Sequence, residues 1–263
     1  MKIKNIEMFT DDVMEIINKQ EFIGLRLSGG IDSATLCYIT MKYFPHLKIV
    51  PITLFNKMRP RAAISVEKVI SQLKILNPNS ELLPREIGYF DTSGYKRNPN
   101  SKVKTHPKDV LHKEFDRYLY DKYEGKLNFI MSGETLNPPI SEQQKLMVGT
   151  ENTFPKDRNQ TGETLLKGSY KGILRYEYKP FRNYNKKQVA EVVQELGLMS
   201  TLFPYTETCE TEPHKYRDYY ARTFEIEYVD PDNEPCQGCW PCREKYWAYG
   251  VFDFNIPLKS RRI

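Results

Sequence analysis

The sequence predicts an α/β protein built on a doubly wound parallel sheet, with a small cysteine-bearing metal-binding segment at its C-terminal end. Three observations carry this. Short apolar runs alternate with stretches of helical periodicity from residue 22 to residue 196, the order expected of strand–helix–strand units. The first apolar run opens into a glycine turn, Ser28-Gly29-Gly30-Ile31-Asp32-Ser33, that leads directly into a helix. Cys236, Cys239 and Cys242 stand two residues apart in CQGCWPC, with Cys209 upstream. The expected division is residues 1–205 for the sheet domain and 206–263 for the metal-binding segment.

The chain has 263 residues, enough for one large domain or one domain with an appendage, and at 40% hydrophobic it can bury a sizeable core. Its 18 Tyr and 13 Phe make that core, or its clefts, aromatic. The net charge of +5 suits anionic ligands such as nucleotides without itself implying nucleic-acid binding. No apolar run approaches the ~18–20 residues of a membrane span, and MKIKNIEMFTDD lacks a signal-peptide core. The expectation is a cytoplasmic protein with no membrane partner, in which five cysteines serve a metal or catalysis rather than disulfides.

Taken in order, residues 5–18 read as an amphipathic helix with Ile6, Phe9, Val13, Ile16 and Ile17 on one face. Phe22, Ile23, Leu25 and Leu27 mark a strand buried on both faces, and helical spacing resumes over Ile31–Tyr43. Lys48–Phe55 is a second strand and Ser65–Leu76 a second helix. Between them, Arg59 and Arg61 fall either beside the glycine turn, where they would balance phosphate charge, or on the solvated surface. Glu81–Phe90 contains a short strand, 91–107 reads as a polar loop, and Asp109–Tyr123 as a helix. Leu127–Met131 is a central strand running into Ser132-Gly133-Glu134-Thr135, where the second wall of a nucleotide site belongs. Residues 150–170 show little periodicity and predict either disorder or a lid. Arg175–Pro180 is the last strand. Asn185–Leu196 is a helix with Asn185 as N-cap and Gly197 at its end. Cys37 reads as a core residue, and His106 and His112 as solvated or capping residues.

The turn's chemistry follows from its residue types. Glycines admit positive φ and close approach of a ligand to the main chain. The helix that follows aims its free amides and positive dipole end back into the turn, an anion cradle suited to phosphate. Ser28 and Ser33 add hydroxyls. Asp32 would repel a bound phosphate unless it holds a divalent cation that bridges to it. A Walker A loop is excluded, because its lysine is missing. The four cysteines could close on one ion as a tetrahedral zinc site or hold an iron–sulfur cluster.

SGGIDS at 28–33 resembles the SGGxDS signature of the PP-loop ATP pyrophosphatases, an adenine nucleotide α-hydrolase-like fold. The resemblance implies splitting of ATP between its α and β phosphates, adenylation of a carboxylate or carbonyl oxygen, and displacement of AMP by ammonia or sulfur. It implies ATP contacts from Leu27, Ser28, Gly29, Gly30, Asp32, Ser33, Arg61, Gly133 and Glu134, with Mg2+ on Asp32. Catalytic roles would fall to Asp32, Ser33 and Lys186, the lysine lying near the phosphates. Together with the cysteines, this resembles the 7-cyano-7-deazaguanine synthases, which make the nitrile precursor of queuosine. Those enzymes carry structural Zn2+, here implied on Cys209, Cys236, Cys239 and Cys242, with an arginine matched by Arg243. The resemblance covers roughly 22–60 and 178–247. GETLNPP replaces that family's arginine-asparagine loop, which leaves the acceptor open; a related deazapurine used in DNA modification also fits. The implied partners are a small-molecule acceptor and ammonia, with nucleic acid and a homodimer permitted but not required. Two other readings stand beside it: a PP-loop tRNA thiolase, and a zinc-knuckle nucleic-acid binder with a degenerate loop.

Overall fold

The computed structural model describes residues 1–56, 61–90, 107–147, 158–209, 235 and 237–253, with only the backbone of 56, 61–64 and 107–109. The chain opens with a two-stranded hairpin, β1 (Lys2–Ile3) and β2 (Ile6–Glu7), before α1 (Asp11–Asn18). The helix expected from residue 5 is therefore shorter. Lys4 takes a positive φ of 52° at the hairpin turn, and Thr10 is extended at the N-cap, so the helix starts only after it. Ile6 and Phe9 are buried as expected, but from the hairpin and the connection rather than from a helix.

The main elements follow in chain order: β3 (Phe22–Arg26), α2 (Ile31–Tyr43), β4 (Lys48–Asn56), α3 (Arg61–Leu76), β5 (Glu81–Leu82), β6 (Glu86–Phe90), α4 (Pro107–Lys122) and β7 (Phe129–Ser132). Then come α5 (Ile140–Met147), β8 (Leu165–Tyr170), β9 (Ile173–Tyr178), α6 (Lys186–Glu195), α7 (Leu198–Thr201), a 3-10 turn at Phe203–Tyr205 and α8 (Trp240–Tyr249). Seven strands form one sheet in the order β5-β4-β3-β7-β9-β8, with β6 also pairing with β4. β5 lies along the start of β4 and β6 along its end, so the two act as one broken strand. All pairings are parallel except the β8–β9 hairpin.

This is a doubly wound, mostly parallel α/β sheet. From β3 the chain steps outward to β4 and β6 on one side, then returns to place β7 on the other. The order therefore reverses between β3 and β7, where such sheets bind ligands off their carboxyl ends. Their register, Leu25 beside Met131 and Arg26 beside Ser132, makes the two strands end side by side. One face of the sheet packs Ile23, Leu25 and Met131 against α2 and α6. The other packs Val50, Ile52 and Ile130 against Leu119 of α4 and Leu127.

β8 and α5 also differ from the sequence reading. The stretch 150–170 ends in strand β8, paired antiparallel with β9 through a tight turn in which Lys171 and Gly172 have φ of 51° and 79°. β8 is an edge strand whose residues are all at least partly exposed, so it lacks the alternation that marks a strand. α5 was not expected either; of its residues only Gln143 is buried, and no apolar stripe announces it. The polar stretches 91–106 and 148–157 lie outside the described residues. Among the described residues, no helix is long and apolar enough to cross a membrane.

Candidate nucleotide site and metal centre

β3 is locked at its exit. Leu27 donates its amide to the Ile52 carbonyl (2.8 Å), and its own carbonyl accepts from Thr53 Oγ1 (3.0 Å). Gly29 then takes a φ of +82°, a conformation that side chains resist. Gly30 is different, being extended at φ −81°. What requires glycine there is space, since a Cβ would stand 3.1 Å from Thr208 Cγ2. The Ser33 hydroxyl works inside the turn: it accepts from the Ser28 amide (3.2 Å) and donates to the Gly30 carbonyl (3.1 Å). Ser33 thus braces the loop, and Ser28 is the hydroxyl residue on the exposed side. Among the described residues no side chain caps α2, so its first-turn amides face the turn as donors for an anion.

The second wall lies against this turn. A Cβ on Gly133 would come within 2.8 Å of Ser33 N and 2.9 Å of Asp32 C, so any side chain would push the loop after β7 off the start of α2. The same loop runs beside the entry to α6, where Leu136 N donates to the Tyr184 carbonyl (2.8 Å) and Leu136 bridges to Asn185. Glu134 is partly exposed and pairs with Lys179 at 3.0 Å.

α6 starts on a capping box. The Asn185 side chain accepts from the amides of Lys187 (3.0 Å) and Gln188 (3.2 Å), and Gln188 Oε1 accepts from Asn185 N (2.9 Å). This fixes Lys186 as the first helical residue and turns its side chain inward, where it is only 6% exposed. Its Nζ lies 3.3 Å from Asp32 Oδ2 and 3.5 Å from Glu244 Oε2. Glu244 also holds Arg158 (2.7 Å), which in turn donates to Thr135 Oγ1 (2.7 Å). Tyr249 donates to Asp32 Oδ1 at 3.4 Å. Burial alone would pull the Lys186 ammonium down, but the Asp32 and Glu244 carboxylates outweigh it and hold its pKa above the usual lysine value. Burial, then Asp32, raises Tyr249 well above the ordinary phenol range, so it stays a donor. Two cations and two carboxylates thus alternate beside an uncapped helix start.

Of the residues expected here, the structure brings together Leu27, Ser28, Gly29, Gly30, Asp32, Ser33, Gly133 and Lys186. Arg61 begins α3, with its side chain outside the described residues, as is all of Arg59. Glu244, Tyr249 and Arg158 were not foreseen. Arg158 sits in a stretch without periodicity, and the two α8 residues are a glutamate and a tyrosine in an aromatic, charged helix, with nothing in the spacing to aim them at Asp32.

The thiols of Cys209, Cys239 and Cys242 are buried and lie within 4.8 Å of one another; Cys236 lies outside the described residues. Cys239 is the N-cap of α8 and Cys242 falls in its first turn, where the dipole favours thiolate. A tetrahedral ion with bonds of about 2.3 Å sets its thiolates about 3.8 Å apart, within this spacing. The three residues therefore fit one zinc-like ion. Cys37 stands apart in the core, where burial pushes its thiol up to about 12.

The fold sets a glycine turn and an uncapped helix start at the topological switch point of a mostly parallel sheet, with three clustered cysteines in the same C-terminal part of the chain as α8. No protein-family model matches the chain, and no curated protein matches it in sequence. Among solved structures it is similar to the U34-tRNA thiolase NcsA from Methanococcus maripaludis with its 4Fe–4S cluster, at 16% identity and a TM-score of 0.44, over 81% of this chain and 67% of that one. It is also similar to an NMN synthetase from Francisella tularensis, at 16% identity and a TM-score of 0.40, over 94% of this chain and 92% of that one. An FMN adenylyltransferase from Candida glabrata matches at 14% identity and a TM-score of 0.33, over 68% of this chain; the chain spans about half of that protein's length, 48%. Likenesses of this size assign neither a family nor a reaction.

Proposed function

We propose that the protein is an ATP-dependent, AMP- and pyrophosphate-forming enzyme of the PP-loop type, with the Ser28–Ser33 turn as its triphosphate site. The observation that supports this most is the convergence of Asp32 and the buried Lys186 on an uncapped helix start at the switch point of the sheet. Phosphate would accept from the turn and the first amides of α2. Lys186, now shared by two carboxylates, would turn to the incoming phosphate, releasing Asp32. Magnesium, when bound at Asp32, would neutralise charge on the departing diphosphate. Catalysis here is chiefly positioning and charge stabilisation.

In the reaction that the SGGIDS and cysteine patterns suggest, an acceptor carboxylate attacks the α phosphate. Pyrophosphate leaves, and an acyl-adenylate forms. Ammonia displaces AMP to give an amide. A second adenylation, on the amide oxygen, is followed by loss of AMP and protons to give a nitrile. The proposed acceptor is 7-carboxy-7-deazaguanine or a related deazapurine, and the proposed ion at the cysteines is a structural zinc. A thiolate spacing under 4.8 Å favours a single ion over a cluster, whose thiolates bind separate irons and stand further apart.

The test is pyrophosphate release from ATP with 7-carboxy-7-deazaguanine and ammonia, then with tRNA and a sulfur donor. AMP and pyrophosphate with the deazapurine support the proposal. Release only with tRNA and sulfur makes the protein a thiolase. No release with either acceptor, from protein that keeps its metal, counts against the proposal.

A further inference from the structure

The segment Thr206–Cys209 ends in a candidate metal ligand and lies along the phosphate turn. Glu207 donates its amide to the Gly29 carbonyl (2.9 Å), and Thr208 packs into the space that Gly30 leaves open. A buried ion pair grips the segment. Asp253 Oδ2 accepts from the amides of Thr208 (2.9 Å) and Cys209 (3.0 Å), and Oδ1 accepts from Thr208 Oγ1 (3.1 Å). Lys245 bonds to Asp253 Oδ1 (2.5 Å) and to Thr206 Oγ1 (3.1 Å), and its ammonium lies 4.2 Å from the Phe203 ring centroid. Both charged side chains are 0% exposed. Lys245 also stands one turn past Cys242 on α8. One continuous set of contacts therefore runs from the thiols on α8, through Lys245 and Asp253, into 206–209 and onto Gly29 and Gly30. An ion pair this dry gains little net stability over an apolar pair, which points to a positioning role.

We infer that the Lys245–Asp253 pair couples metal occupancy at the cysteines to the shape of the phosphate turn, so that the metal-loaded protein binds ATP more tightly than the metal-stripped protein. This rests on Ser28–Ser33 being the nucleotide site. Without an ion, the Cys209 thiol loses its link to Cys239 and Cys242, the segment is held to α8 through Lys245 and Asp253, and the donor to the Gly29 carbonyl shifts with it. Coupling is reciprocal, so bound nucleotide must hold the metal more tightly by the same factor.

The experiment uses the full chain in two measurements. Calorimetry with the non-hydrolysable α,β-methylene ATP is run before and after chelator treatment, with circular dichroism confirming that the stripped protein is folded. Release of metal to a chromogenic chelator is timed with and without the analogue. Stripping should weaken the analogue about tenfold, and the analogue should slow metal release about tenfold, within the usual range of coupling. Asp253→Asn combined with Lys245→Met, which leaves no unpaired ammonium, should keep the metal yet shrink both effects below threefold. Equal affinity for the analogue in stripped, folded protein overturns the inference. So does an unchanged release rate, or full coupling in the double variant. The release measurement on the unaltered protein decides the matter if the variant or the stripped protein fails to fold. If the metal-loaded protein does not bind the analogue at all, the nucleotide site falls and the coupling with it.

Discussion

Lys186 is the residue whose surroundings say most about the site. It is buried at the start of a helix, shared by Asp32 and Glu244, and positively charged against the pull of its burial. Lys186→Met should lower kcat about 100-fold, the scale of losing one preorganised charge. It should also destabilise the fold by about 3 kcal/mol, because Asp32 loses its ion-pair partner and Glu244 keeps only its bond to Arg158 among the described residues; rate assays and urea unfolding check the two. The pH dependence has a definite sign. The folded pKa of Lys186 lies above 10.5, so its stabilisation is fully present below pH 10.5 and is lost as pH rises through the folded value. Tyr249, also raised, acts in the same direction above pH 10. The urea midpoint should hold up to about pH 9.5 and then fall, and Lys186→Met should fall less steeply over the same range. An equally steep fall in the variant would mean that other groups set the alkaline limit. Cys37, held near 12 by burial, should escape alkylation in the folded protein and react only on unfolding, as mass spectrometry would show.

At the scale of elements, the site depends on how α2, α6 and the loop after β7 are started and spaced. Asn185→Ala removes the capping box and should cost about 1 kcal/mol while loosening Lys186, visible as lower thermal stability and a weaker response to nucleotide. Gly133→Ala forces a methyl to within 2.8 Å of the Ser33 amide and should cost about 1–3 kcal/mol, along with nucleotide binding. Gly172→Ala meets nothing within 4 Å among the described residues, so its positive φ is what opposes it; the cost should be about 1 kcal/mol with nucleotide binding unchanged. If Gly133→Ala binds nucleotide normally, the close contact between the two walls has no role in the site. The strands and helices with strong apolar periodicity were legible in the sequence: β3, α2, β4, β7 and α6 sit within a residue or two of where their patterns place them. β8 and α5 were not, because neither buries a stripe that a period could reveal. The first helix is shorter than its pattern implies, because Ile6 and Phe9 are buried by a hairpin and a connection that happen to match helical spacing.

For the whole molecule, the topology made the site legible in outline and hid its completion. Alternating strands and helices foretold the doubly wound sheet, and the glycine turn falls where β3 gives way to α2, beside the point at which the strand order reverses. The antiparallel hairpin at the edge, and the return of α8 to bring Glu244 and Tyr249 to Asp32, are long-range events with no local signature. The return of α8 also brings the clustered thiols to a segment that bonds to Gly29 of the glycine turn, which spacing alone could not show. The most direct test of the account is the structure of the protein with α,β-methylene ATP and magnesium bound. It should place the phosphates against the amides of Ser28–Ser33, with Lys186 drawn from Asp32 toward them. Phosphates bound elsewhere, with the Lys186–Asp32 pair undisturbed, would contradict it.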